Sequence, residues 1–218
     1  MTSAATPQST VQSWEIRWFL PHGAYDTITR RFDHSEYVDI QPWRSDAYAL
    51  GTGPAVGVKL REGRLEIKRR LEAEVIDLSA ARGVIERWVK ESFAPDAAPR
   101  HYAPSTWAGS LTLHKCRRAM NFALATDGGI DPIEPNVRIE GAGCQVELTE
   151  IRLHTRDGEA AWTLGLESFG DESGQRAALL ACVDALLRIT SPSVRHVLDH
   201  HRSRGYPAWI DSLDVPRR

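Results

Sequence analysis

The chain has 218 residues, enough for one large domain or two small ones and for a proper buried core. Its 42% hydrophobic and 26% charged residues are ordinary for a globular protein, and 27 Lys and Arg against 29 Asp and Glu exert no global pull toward nucleic acid or an anionic membrane. The start MTSAATPQST lacks the basic residues and apolar run of a secretory signal, no apolar stretch nears the ~20 residues that span a bilayer, and Cys116, Cys144 and Cys182 show no CxxC spacing, so a cytoplasmic protein without disulfides or a zinc site is expected.

Residues 1–12 are expected to form a flexible tail. In SWEIRWFL (13–20), Trp14, Ile16 and Trp18 alternate with Ser13, Glu15 and Arg17, the period of a strand. A less regular region leads to a strand in RSDAYALG (44–51) and a hairpin over 56–70. LSAARGVIERWVKESF (78–93) spaces Leu78, Val84, Ile85, Trp88 and Val89 for a helix, with Asp77 or Ser79 as cap. Pro95, Pro99 and Pro104 make 94–109 an ordered loop or a linker. Strands follow in SLTLHKCRRAMNF, NVRIEGA, CQVELTEIRL and AWTLGLESF, the last two separated by the turn-rich HTRDGEA. Helices are expected over 173–189, with Leu179, Val183, Leu186 and Leu187 on its apolar stripe, and over 191–205, with Pro192 near its start and Gly205 at its stop. About eight strands at hairpin spacings favour an antiparallel sheet or barrel in one domain over 13–210.

VGVKLREGRLEIKRR (56–70) gathers Lys59, Arg61, Arg64, Lys68, Arg69 and Arg70. With Glu62-Gly63 as a two-residue turn, Lys59 pairs with Glu66, Val58 with Ile67 and Gly57 with Lys68. Val56, Val58, Leu60, Leu65 and Ile67 then share one face, and Lys59, Arg61, Arg64, Glu66 and Lys68 the other. A slip of one residue would mix the faces. The charged face either meets water, as in most half-buried antiparallel sheets, or points into a cavity.

Other strands bear on that choice. Glu15 and Arg17 share a face, as do Gln145, Glu147 and Thr149, and Thr163 and Glu167. Lys115 and Arg117 share parity, but so do Leu111 and Leu113. Helices with apolar stripes must cover the apolar faces. Over a closed sheet that leaves the charged faces inside, reversing the polarity of a small barrel.

On these residues the sequence resembles the triphosphate tunnel metalloenzymes, or CYTH-like proteins. SWEIR is similar to their ExExK strand, with Ser13 on the first Glu, Glu15 on the second and Arg17 on the Lys. SDAYALG, VGVKLREG and RLEIKRR resemble the strands that follow, HKCRRAM a KxRxxY-like strand, and CQVELTEI and TLGLES the closing acidic strands. The resemblance covers about residues 13–170. It implies an α+β fold, an antiparallel eight-stranded β-barrel or tunnel with helices packed outside. It also implies a small anionic, phosphate-containing substrate bound by Arg17, Lys59, Arg61, Lys68, Lys115 and Arg117. Glu15, Glu147 and Glu167 would hold Mg²⁺ or Mn²⁺, hard ions that prefer oxygen donors. Glu66, Arg64 and Arg70 would support them. Two acids of the pattern are missing, at Ser13 and Gly165, and Glu150 has the wrong parity to replace one without a bulge. The implied activity is metal-dependent hydrolysis of a tripolyphosphate or nucleoside triphosphate. The alternatives are a non-catalytic polyanion-binding protein with a degenerate metal site, and an RNA-binding module, against which the near-neutral charge argues.

Remaining features point to structure. His196 and His200 lie four apart without a third ligand or the Glu of a zincin motif, and read as a solvated helix face. Cys116 reads as a strand cysteine. GTGP (51–54) lacks the spacing of a Walker loop. Trp14, Trp18, Trp88 and Trp162 read as core. No residue stands out as a general base.

Overall fold

The computed structural model describes residues 6–21, 23–33, 35–78, 81–94, 96–135, 137–153, 160–190 and 192–213. Period-two alternation becomes nine strands: β1 (Ser9–Leu20), β2 (Asp39–Ala49), β3 (Val56–Arg61), β4 (Arg64–Leu78), β5 (Ala81–Phe93), β6 (Ser110–Leu124), β7 (Ile130–Ile133), β8 (Ala142–Leu153) and β9 (Ala160–Gly170). Eight of them pair antiparallel in the ring β2-β3-β4-β5-β1-β9-β8-β6. β6 closes it by pairing back onto β2, so the barrel has no free edge. β7 pairs with the end of β6 that β2 leaves uncovered. β1 starts earlier than expected, with Ser9 opposite Ser92.

The β3–β4 hairpin has the expected register, Lys59 opposite Glu66, Val58 opposite Ile67 and Gly57 opposite Lys68. Both turn residues have positive φ, 48° at Glu62 and 73° at Gly63, as a tight hairpin turn requires. The aliphatic face lies outside. Val58, Leu65 and Ile67 are buried with Phe93 beneath Ala98, Tyr102 and Trp107 of the proline-containing loop.

Three sequence readings are corrected. Residues 81–93 are strand β5, not a helix. Ile85 faces the outer core while Glu86 and Trp88 on neighbouring positions are also buried. Large residues on both faces erase the alternation and imitate helical spacing. Ser79, one proposed cap, lies outside the described residues. Of the described residues of NVRIEGA only Ala142 is in a strand, as the first residue of β8, and the added strand is Ile130–Ile133. The span 191–205 is broken into α3 (Pro192–Arg195) and a 3-10 turn at His200–Arg202, so His196 and His200 do not share a helix face. All but the last residue of HTRDGEA lies outside the described residues.

α2 (Glu172–Ile189) packs across β8, β9, β1 and β6 through Ala178, Leu179, Cys182, Val183 and Leu187. It meets the outward faces of those strands, including Ile16, Cys144, Val146, Leu148, Leu164 and Leu166. Gln175 Nε2 ties it to the sheet by donating to the backbone carbonyls of Gln12 and Gly170, both at 3.1 Å. α1 (Ala24–Asp33), in the region read as irregular, adds Ile28 and Phe32 to the same layer.

α4 (Tyr206–Asp211) has another role. Trp209 stacks on Phe19 at 4.7 Å and packs with Ile210 against Tyr48, Leu50, Leu111, Leu113 and Ile151. Phe19, Leu111, Leu113 and Ile151 share parity with Arg17, Lys115, Arg117 and Glu147. They are inward side chains at one end of the barrel. That end is apolar and plugged by α4, which explains why leucines share a face with cations on β6. Among the described residues no helix is long and apolar enough to cross a membrane.

Candidate anion-binding site

The barrel encloses a cavity of about 480 Å³, lined from all eight ring strands. Its wall carries Arg17, Lys59, Arg61, Lys68, Lys115 and Arg117, with Glu15, Glu66, Glu147 and Glu167 among them. Two expected members do not line it. Arg64 is exposed beside the hairpin turn. Arg70 bonds to buried Glu86 at 2.6 Å. Arg69, excluded by parity, pairs with Glu91. Glu150 binds Arg152 and is not part of the wall.

The cavity also takes residues the sequence reading passed over: Arg44, Asp46, Tyr48, Trp88, Lys90 and Tyr206. Arg44, Asp46 and Tyr48 alternate with Ser45, Ala47 and Ala49, a period-two signal open to reading. Trp88 was assigned to the core but faces the cavity, 5.6 Å from Lys68 Nζ. Tyr206 arrives on the plug and carries no local signal. In all, eight cationic side chains face five carboxylates around the cavity, an excess of three cationic side chains.

The charges fall into three groups. Glu147 is clamped by two arginines, Arg17 Nη2 on Oε1 at 2.5 Å and Arg117 Nη1 on Oε2 at 2.8 Å. Burial would raise this carboxyl, but the two guanidiniums outweigh it and hold it well below the usual carboxylate range. Arg17 also donates to Thr163 Oγ1 at 2.9 Å and lies over the Tyr206 ring at 4.6 Å.

In the second group Lys68 contacts Glu15 and lies 3.7 Å from Glu167, while Ser13 Oγ donates to both glutamates at 3.0 and 3.3 Å. Burial, then the charge of Glu167, pushes Glu15 up to about 7 against the pull of Lys68, while burial of Glu167 is outweighed by Lys68 and Lys90, which draw it down to about 2. The two carboxyls titrate as a pair holding one proton into the neutral range.

The third group centres on Asp46, fully buried, with Lys59 and Lys115 at 3.5 Å, Arg44 at 3.7 Å and Arg61 at 4.0 Å. Burial opposes ionisation of Asp46, but Lys59 and Lys115 keep it below its ordinary range. Lys115 donates to Tyr48 Oη at 2.7 Å and sits 3.6 Å from the Tyr206 ring. Burial, with Lys59 and Arg17 nearby, pulls its ammonium well down despite Asp46.

The resemblance implies a divalent ion on Glu15, Glu147 and Glu167, and the residues present do not fit one. Both oxygens of Glu147 are taken by arginines, and Glu15 and Glu167 are joined by an ammonium and a hydroxyl. At Gly165 a Cβ would stand 2.6 Å from Arg17 Cζ, so the guanidinium fills the space of an acidic side chain. The one group of metal-type side chains close enough to share an ion, among the described residues, is Asp199, His200 and His201, away from the cavity.

The Glu15–Glu167 pair sets a pH dependence. A carboxyl raised from 4.5 to about 7 in the folded state favours folding below 4.5 and loses that contribution as pH rises through 7. Glu167, lowered to about 2, acts oppositely, its contribution present above 4.5 and lost as pH falls toward 2. The contribution of this pair, read as the difference in thermal midpoint between the wild type and Glu15→Gln, is therefore expected to be greatest near pH 5 and to fade by pH 8. Glu15→Gln removes the alkaline fall, and a profile unchanged by that substitution refutes the assignment.

No family model and no curated protein matches the chain. Among solved structures it is similar to the Pct1 RNA triphosphatase of S. pombe, at 11% identity and a TM-score of 0.41, covering 88% of this chain and 86% of that one. The same enzyme in complex with the Spt5 CTD aligns at 10% identity and a TM-score of 0.38, covering 88% and 87%. The chain is a closed barrel of eight antiparallel strands with a charged interior and helices packed outside, the architecture that the sequence resemblance implies.

Proposed function

We propose that the tunnel binds the triphosphate portion of a small ligand, or a short inorganic polyphosphate. The observation that carries this is the excess of three cationic side chains over carboxylates around a barrel cavity plugged at one end. An extended row of phosphate oxygens satisfies such an array, arginines gripping two oxygens at once and lysines acting as point charges. Arg17, Lys59, Arg61, Lys68, Lys115 and Arg117 are the phosphate contacts in this reading. Titration calorimetry is expected to show tripolyphosphate binding far more tightly than orthophosphate or sulfate. Lys68→Ala should weaken it about tenfold, one charge-assisted contact. Equal affinity for all three anions would mean a diffuse electrostatic surface instead.

Hydrolysis of the bound anhydride is a second reading. It is favoured by the paired Glu15 and Glu167, one holding a proton while the other is ionised, a division suited to acid–base work. Phosphate release from tripolyphosphate and nucleoside triphosphates, assayed with Mg²⁺, with Mn²⁺ and with chelator, tests it. Binding without release under all three conditions leaves a binding protein.

A further inference from the structure

We infer that the tunnel takes its polyphosphate as the free anion, with the Arg17 guanidinium replacing a divalent ion as the central positive charge. This rests on the binding reading above and states what kind of polyphosphate complex the site selects. Two departures from the family's patterns, one on the ExExK strand and one on a closing acidic strand, form one structural unit. Arginine in place of lysine at position 17 brings a larger planar cation, and glycine at position 165 opens the room it needs. Gly165 has no left-handed backbone that would demand glycine, and its missing side chain is filled by the guanidinium, with Nη1 and Nη2 at 2.6 and 2.7 Å from an added Cβ. The cation is fixed before any ligand enters, by Glu147 at 2.5 Å, Thr163 at 2.9 Å and the ring of Tyr206. Preorganised positive charge does for a bound anion what a metal does elsewhere.

Charge arithmetic agrees. The wall has three more cationic side chains than carboxylates, against roughly −4 on a nucleoside triphosphate near neutral pH, whose single terminal phosphate loses its last proton near 6. Acids at both 13 and 165 would cut that excess to one, and a divalent ion would be needed to restore it to three. Ser13 and Gly165 therefore remove as much negative charge as one divalent cation adds. Ser13 directs its hydroxyl hydrogen at Glu15 or Glu167 and brings no negative charge where the pattern has a carboxylate.

The test uses the full chain. Tripolyphosphate binding is measured by calorimetry in chelator and again with excess Mg²⁺, and the free protein is titrated with Mn²⁺ while unbound ion is followed by electron paramagnetic resonance. Binding in chelator is expected, weakened by Mg²⁺ as it competes for the anion, with no saturable Mn²⁺ uptake in the tunnel. Tripolyphosphate binding that requires the metal, or saturable Mn²⁺ uptake lost in Glu15→Gln, overturns the inference and leaves the binding reading standing. No binding under either condition retires the binding reading itself, and the inference with it. Arg17→Lys combined with Gly165→Glu should convert the site, lowering affinity in chelator at least about tenfold with recovery in Mg²⁺. If that variant does not fold, the two wild-type titrations decide alone.

Discussion

Glu147→Gln is expected to destabilise the fold by about 3–5 kcal/mol while tightening polyphosphate binding. Arg17 and Glu147 are both buried, and each glutamate oxygen accepts from a different arginine. Glutamine keeps the shape but leaves two guanidiniums confined without a counter-charge, the costly way to break a buried ion pair. A ligand oxygen can take the position the carboxylate vacates. Tripolyphosphate should therefore stabilise the variant more than the wild type in denaturant titrations, in line with its tighter binding and against the rank order of stability without ligand. The loss should persist across neutral pH, because the Glu147 carboxylate is held well below its usual range and its contribution fades only as acid protonates it. Equal stabilisation of both proteins by ligand would show that the anion never reaches the clamp.

Arg17→Met is expected to lower tripolyphosphate affinity roughly 30-fold or more, the 2–5 kcal/mol of a buried charged contact. Methionine fills part of the space over Gly165 and leaves Glu147 with Arg117. The folding cost should thus be smaller than for Glu147→Gln. Arg17→Lys should fall between, restoring charge without the planar fork. Arg118→Met is the control. It loses contacts to Asp33 and Tyr25 outside the tunnel and should leave affinity unchanged. Loss of binding in both variants alike would point to general charge rather than to the Arg17 position.

Much of this site was legible before any coordinates. In the hairpin, Lys59, Glu66 and Lys68 alternate cleanly with Val58, Leu65 and Ile67, and the register follows from that alternation and a two-residue turn. Glu15 and Arg17, Glu147, and Glu167 were readable in the same way. The reading failed where the barrel interior is not uniformly charged. On β5 an inward Trp88 beside an outward Ile85 mimicked a helix. On β6 Leu111 and Leu113 seemed to spoil a polar face because the plug that makes their end apolar comes from the far end of the chain. Asp46 was missed although its parity was available; only its four surrounding cations mark it as central.

The chain's own pattern determined which side chains face inward, because strand parity is a local property that burial of one face enforces. Only the tertiary structure decided which cation meets which carboxylate, since Arg17, Gly165 and Glu147 become neighbours through strand pairing between distant segments. It also decided that α4 closes one end of the tunnel. The empty position at Gly165, first a missing acid, became the place where an arginine lies, because space in a packed barrel is set by the strand opposite.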